Sequence, residues 1–253
     1  MPFDTRDVLQ VVDRDGVRLL TLDRPESRNA FNQALWCATR DALIDTAEDP
    51  AIKCAVITGA GDKAFSAGQD LAEMADPSSI GDGEEPGYRT FMPVLEAFPK
   101  PLLAAVNGVG VGIGLTMLPH CDLVFMADTA RLKVPFVSLG VTTEGSSSIM
   151  LPATIGWQNS AYVLFTEPWI DAEMAVSTGL AWRQCPAGDL LDDTLAVADQ
   201  IAAMPVSSLV ATKQLMLAGR LDAVRAARER EDAEFERLVG SPDNLAALEK
   251  FFS

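Results

Sequence analysis

Residues 102–128 read LLAAVNGVGVGIGLTMLPHCDLVFMAD, and their pattern decides the fold class. Residues 102–106 are a continuous apolar run, short enough for a buried strand. Glycine then recurs at 108, 110, 112 and 114, and residues 122–128 form a second apolar run. Residues 115–118 between them suit a short helix, which Pro119 should cut short or kink by removing a backbone donor. Strand, glycine-rich turn, short helix and strand predict an α/β domain. Glycines let a backbone pass close to a ligand, and the free N–H groups of a helix start can face a bound oxygen. The same glycines equally suit a tight turn between packed elements. No Gly-Lys-Ser/Thr follows and the spacing is not G-x-G-x-x-G, so neither a phosphate loop nor a dinucleotide fingerprint is present.

Working outward, CAVITGAG (54–61) reads as another buried strand running into a turn, and KAFSAGQDL (63–71) follows it. Residues 8–12 and 17–22 flank an Asp-Gly turn and predict a hairpin. Asn32 can cap a helix over 33–47, stopped by Asp49-Pro50. DPSSIGDGEEPG (76–87) predicts a mobile polar loop bordering the site, and 88–97 a helix. Downstream, 130–134 suits a short strand and TTEGSSS (142–148) a polar loop opening a helix over 147–155. Residues 161–165 and 171–178 have short helical patterns, the second capped by Gly179. Strand patterns stop near 189, and helices are expected over 190–204, 206–218, 222–239 and from Ser241-Pro242 onward. The division is thus a β/α core in 1–188 and a helical region in 189–253.

A chain of 253 residues, 48% hydrophobic, is large enough for one sizeable core. Its net charge of −16 argues against nucleic acid and anionic membrane surfaces, and an anionic substrate would need a local basic group. No apolar run reaches the roughly 18 residues of a membrane span, and MPFDTRDV lacks a signal-peptide core. Cys37, Cys54, Cys121 and Cys185 are scattered, as in a reducing, cytoplasmic setting. His120 is the single histidine, so no His-based metal cluster is expected and a structural role suits it.

Taken together, AFSAGQDL (64–71) and AAVNGVGVGIGL (104–115) resemble the enoyl-CoA hydratase/isomerase (crotonase) family. LDRPESRNAFNQAL (22–35), ARLKVPFVSLGVTTEGSSSIMLPATIG (130–156) and EMAVSTGL (173–180) extend the resemblance over roughly residues 8–219. It implies a spiral of ββα turns with a C-terminal helical trimerisation subdomain, a homotrimer or hexamer, and a place in fatty-acid metabolism. The implied substrate is an acyl-CoA thioester, with coenzyme A entering as part of it and no separate cofactor or metal. The main-chain N–H groups of Gln69 and Ile113 fall where the family binds the thioester oxygen. The two glutamates of family hydratases are replaced by Thr116 and Phe136. Glu144, the only acid between Asp128 and Glu167, matches the single glutamate of peroxisomal-type delta-3, delta-2-enoyl-CoA isomerases. Ala67, Gly68, Asp70 and Leu71 would line the coenzyme A site, with Arg28 near its phosphates and Lys250 reaching a neighbour's coenzyme A. Phe91, Met92, Met117, Phe136 and Leu139 suit an acyl tunnel or plain core. Three readings stay open at this point: an isomerase with Glu144 as base, a hydratase, and a weakly active acyl-CoA-binding protein in which Glu144 is only a loop or helix-start acid.

Overall fold

The computed structural model describes residues 8–75 and 85–252. Most of the polar loop expected over 76–87 lies outside the described residues. Strands β1 (Leu9–Arg14) and β2 (Val17–Leu22) form an antiparallel hairpin. Its turn residues Asp15 and Gly16 both have positive φ, the geometry that matches the twist of the strands. Helix α1 (Gln33–Glu48) begins at Asn32, whose side-chain oxygen accepts the Leu35 N–H at 2.9 Å. It buries Leu35, Trp36, Thr39 and Leu43 on one face.

Next come β3 (Cys54–Gly59), β4 (Ala64–Ser66), α2 (Leu71–Ala75), α3 (Gly87–Glu96) and β5 (Leu102–Val106). The glycine-rich stretch holds β6 (Val109–Val111) and α4 (Ile113–Thr116), followed by a 3-10 turn over Leu118–His120. Pro119, the second residue of that turn, has no N–H with which to continue the α geometry. The chain continues with β7 (Leu123–Ala127), β8 (Arg131–Lys133), α5 (Ser147–Ile155), α6 (Trp157–Thr166), β9 (Ile170–Asp171), α7 (Ala172–Thr178) and β10 (Arg183–Cys185). It closes with α8 (Leu190–Ala202), α9 (Val206–Ala218), α10 (Leu221–Leu238) and α11 (Pro242–Phe252).

Two sheets result. The larger runs β1-β2-β3-β5-β7-β10, parallel from β2 to β10. Its central strands β3 and β5 are buried along their whole length, which is why they read as unbroken apolar runs. The smaller runs β4-β6-β8-β9, and only β8 of its four strands was expected from the sequence. Phe31, Phe65, Phe91, Phe98 and Phe125 are fully buried between the layers.

The expected division at 188–189 falls between β10 and α8. Helix α8 nevertheless packs on the sheet: Leu190, Ala198 and Ala202 share the core with strand residues, and the Ala202 carbonyl accepts from Lys53 Nζ at 2.5 Å. Helix α9 is tied down by buried Lys213, whose Nζ donates to Asp122 Oδ2 and to the Lys100 carbonyl, each at 2.7 Å. Asp122 also accepts the Leu102 N–H at 2.7 Å, so one carboxylate joins the start of β5 to the tail.

Candidate active site

Parallel strands bring their following loops to one edge of a sheet, the usual place for a ligand in α/β proteins. Two asparagines staple those loops here. Asn107, after β5, donates to the Gly59 and Gly61 carbonyls at 2.9 and 2.8 Å and accepts the Gly59 N–H at 3.1 Å. Asn29 is fully buried and donates to the Ala60 and Ala64 carbonyls at 3.0 and 2.8 Å.

On this platform two glycine turns lie against each other. Gly68 has φ 93° and Gly112 has φ 55°. A Cβ on Gly68 would stand 2.8 Å from the Val111 carbonyl oxygen and 3.9 Å from Gly112 Cα, while one on Gly114 would stand 2.4 Å from the Ser66 carbonyl oxygen. Only glycine permits that approach. Gln69 and Ile113 are the residues immediately after the two turns. Gln69 forms a parallel bridge with Phe31 in which the Gly68 carbonyl and the Asp70 N–H make the bonds, so its own N–H lies outside the bridge. Ile113 opens α4, where the Gly112 carbonyl takes the Leu115 and Thr116 N–H groups and the Ile113 N–H has no helical acceptor. Among the described residues, neither N–H donates within the protein. The Gln69 side chain is also fixed, since its oxygen accepts from Trp36 Nε1 at 3.0 Å.

Thr116 closes the helical turn that Ile113 opens, and its hydroxyl donates to Glu144 Oε1 at 2.6 Å. The other oxygen, Glu144 Oε2, is buried with no hydrogen-bond partner among the described residues. Burial is the main reason that the Glu144 carboxyl is pushed up from 4.5 to about 7. The Thr116 hydroxyl opposes that rise, the Glu231 charge adds to it, the Tyr88 hydroxyl opposes it, and the Asp232 charge adds again.

The loop behind Glu144 is held by four side chains, from α3, the 3-10 turn and α10. The Gly145 N–H donates to the Tyr88 hydroxyl oxygen at 2.8 Å, and the Gly145 carbonyl accepts from His120 Nε2 at 2.9 Å. The Ser146 and Ser148 N–H groups each donate to Glu231 at 2.7 Å, and the Ser146 hydroxyl donates to Glu96 at 2.8 Å. Burial lowers the His120 pKa to about 4, so the ring is neutral near pH 7 and serves as a loop donor. Tyr88 stacks edge-on to Trp36 at 5.7 Å, which links this loop to the Gln69 turn.

The remaining expected site residues are placed as follows. Arg28 is exposed, and its carbonyl accepts the Ala67 N–H at 2.9 Å, so the Arg28 turn and the Ala67-Gly68 turn adjoin. Asp70 pairs with Arg24 at 2.9 Å and receives the Ala72 N–H at 3.1 Å, which fixes the start of α2 at Leu71. Lys250 is exposed on α11, a helix whose Asn244 donates to the Leu139 carbonyl at 2.7 Å. Phe91, Met92, Met117 and Phe136 are buried in the chain. An open cleft of about 560 Å³ bounded by Asp122, Trp182, Lys213 and Arg220 contains none of the site residues. No group of three or more metal-ligating side chains occurs among the described residues. Sequence reasoning missed Tyr88 and Glu231 as holders of the Glu144 loop. They act across sequence separations of 57 and 85 residues, where no local pattern exists to read.

Two main-chain N–H groups without a partner among the described residues thus lie on adjoining turns, and one carboxyl of raised proton affinity is bonded to the residue that ends the second turn's helix. The chain belongs to the enoyl-CoA hydratase/isomerase family, which it matches over residues 13–251. It is 30% identical over 230 residues to the 1,2-epoxyphenylacetyl-CoA isomerase of Escherichia coli K12, covering 89% of this chain and 87% of that one. It is 31% identical over 243 residues to the 2,3-dehydroadipyl-CoA hydratase of the same organism, covering 96% and 94%. The crystal structure of an enoyl-CoA hydratase/isomerase from Pseudoalteromonas atlantica T6c superposes with a TM-score of 0.93 at 31% identity, covering 97% of this chain and 96% of that one. The α/β architecture is therefore the crotonase fold with its C-terminal helices, and the chain is an enzyme of a family that acts on acyl-CoA thioesters.

Proposed function

We propose that the enzyme isomerises 3-enoyl-CoA thioesters to 2-enoyl-CoA, with Glu144 as its single acid–base. The observation that carries the reading is the Glu144 carboxyl itself. One oxygen is held by Thr116, the other is buried near the Tyr88 hydroxyl with no hydrogen-bond partner among the described residues, and burial raises the carboxyl's proton affinity to about 7. Removing a proton from C2 drives negative charge onto the thioester oxygen, giving a dienolate. The Gln69 and Ile113 N–H groups are the donors assigned to that charge. Protonated Glu144 then returns the proton at C4. A group titrating near the working pH suits both halves of this transfer.

Water addition asks for a second group to handle the water. Thr116 and Phe136 stand at the positions where the family resemblance places hydratase glutamates, and the Thr116 hydroxyl is already committed to Glu144. The several hydratases among the relatives favour the alternative reading. Purified enzyme offered 3-enoyl-CoA and 2-enoyl-CoA is expected to isomerise the first faster than it hydrates the second. The reverse order would overturn the assignment. With Glu144 as a base titrating at about 7, kcat/KM is expected to fall about tenfold per pH unit below that value and to level off above it.

Coenzyme A is assigned to the adjoining Arg28 and Ala67–Leu71 turns, with Lys250 reaching the coenzyme A of a neighbouring copy. A trimer or hexamer is part of this reading. Trp157 and Phe165 on α6 and Leu215 and Met216 on α9 are 75%, 74%, 78% and 65% exposed, large apolar side chains that a partner subunit would cover. Light scattering at micromolar concentration is expected to give a mass of three or six chains, and a monomer mass would refute it.

A further inference from the structure

We infer that Glu231, on the tail helix α10, is a positioning residue for the Glu144 base. Its two carboxylate oxygens bridge the Ser146 and Ser148 N–H groups, fixing the loop just after Glu144 and holding a buried negative charge beside it. The inference rests on Glu144 acting as the base.

The geometry is specific. Ser146 has φ 60°, a left-handed conformation that serine adopts only when its surroundings hold it there. Its own side chain makes no capping bond to α5, because the hydroxyl is spent on Glu96. Glu231 supplies the missing cap from another helix, taking the Ser146 N–H on one oxygen and the Ser148 N–H on the other, both at 2.7 Å. Such charge-assisted bonds are short and strong. Glu231 is 5% exposed and forms no ion pair among the described residues. Arg228, one turn earlier on α10, is taken by Glu96 at 2.9 Å and by Asp232 at 3.6 Å.

Among the described residues, helix α10 brings Glu231, Asp232 and Arg228 to the Glu144 loop, α3 brings Tyr88, Arg89 and Glu96, and the 3-10 turn brings neutral His120, which Arg220 and Lys213 also act on. The Glu231 and Asp232 charges both hold the Glu144 proton more tightly, while Arg228 and Arg89 act on Asp232. Thus a helix from the far end of the sequence holds the base in place and adds to the proton affinity that burial gives it.

Glu231→Gln tests both parts. Its amide nitrogen cannot accept an N–H bond, so one side of the bridge is lost, and the charge disappears. We expect kcat to fall about tenfold or more with KM changed less than about twofold, because a displaced reacting group costs rate while the coenzyme A turns lie elsewhere. The acid limb of kcat/KM should move to lower pH, a change that a purely structural role would not produce. Glu231→Asp keeps the charge but shortens the reach, so it should lower kcat and leave the limb in place. Carbon-13 NMR of the Glu144 side-chain carboxyl, without substrate, reads the same coupling independently of turnover. Its midpoint should drop in Glu231→Gln and hold in Glu231→Asp. If Glu144→Gln keeps full activity, the base assignment fails while this titration still reports on Glu231. An unchanged midpoint with unchanged kcat in folded Glu231→Gln would overturn the inference. So would wild-type kcat in Glu231→Asp, the arm that decides the matter if Glu231→Gln does not fold.

Discussion

Replacing Glu144 by glutamine is expected to slow 3-enoyl-CoA isomerisation by at least about a hundredfold, the lower range for losing a general acid–base. Glutamine keeps the size of the side chain and an oxygen that can accept from the Thr116 hydroxyl. What it removes is the ability to hold and release a proton. KM should change little, because the oxyanion donors and the coenzyme A turns are built from other residues. Stability gives a second and opposite signature. The Glu144 carboxyl is raised from 4.5 to about 7 in the folded protein. Its protonated form therefore stabilises the fold below the unfolded value, and that contribution is lost as the pH rises through about 7. Glutamine does not titrate. The Tm of Glu144→Gln relative to wild type should therefore increase between about pH 5 and about pH 8. A variant that is less active yet relatively more stable at high pH cannot be explained as misfolding. Near-normal isomerase activity in Glu144→Gln would show that another group moves the proton.

The parts of this molecule legible in the sequence are those with a local signal. Strands β3 and β5 are buried on both faces and read as apolar runs, Asn32 marks the start of α1, and Gly179 ends α7 in the left-handed region with φ 88°. The small sheet was mostly hidden. Strands β4 and β6 have three residues each and β9 has two, too few for an alternation to register. Strand β6 also carries Gly110, which reads as turn chemistry until its neighbours are known: a Cβ there would meet Leu132 Cδ2 at 2.5 Å. The site divides in the same way. Gln69 and Ile113 were located by family resemblance to flanking glycine motifs, and Glu144 by its place in TTEGSSS. Thr116 was read only as a lost carboxylate, whereas the fold uses its hydroxyl to hold Glu144 from 28 residues away. Hydrogen bonds across such separations leave no periodicity in a single chain.

Gln69→Pro is expected to reduce kcat by about a hundredfold or more, the range set by removing one donor from a preorganised oxyanion site. The substitution deletes the assigned N–H and, like any change of this side chain, the acceptor of Trp36 Nε1. Gln69 bridges Phe31 through the Gly68 carbonyl and the Asp70 N–H, so proline at 69 breaks no ladder bond, and glycine before it has no Cβ to clash with the ring. Gln69→Ala is the control. It keeps the main-chain donor but leaves the buried Trp36 Nε1–H without its acceptor, at a cost of about 1–3 kcal/mol. It should therefore lose stability while kcat stays within a few-fold of wild type. The partner donor can be removed with still less disturbance. Ile113 is the first residue of α4, where an N–H has no helical acceptor and proline is well accommodated. Gly112 before it sits at φ 55° and ψ −120°, an extended mirror-image conformation that glycine adopts freely. Ile113→Pro should accordingly remain folded and lose rate to a similar degree, with KM rising less than kcat falls, because the charge these donors meet is largest in the transition state. Full activity in folded Ile113→Pro and Gln69→Pro alike would mean that the dienolate oxygen is stabilised elsewhere, and the two glycine turns would then be packing alone.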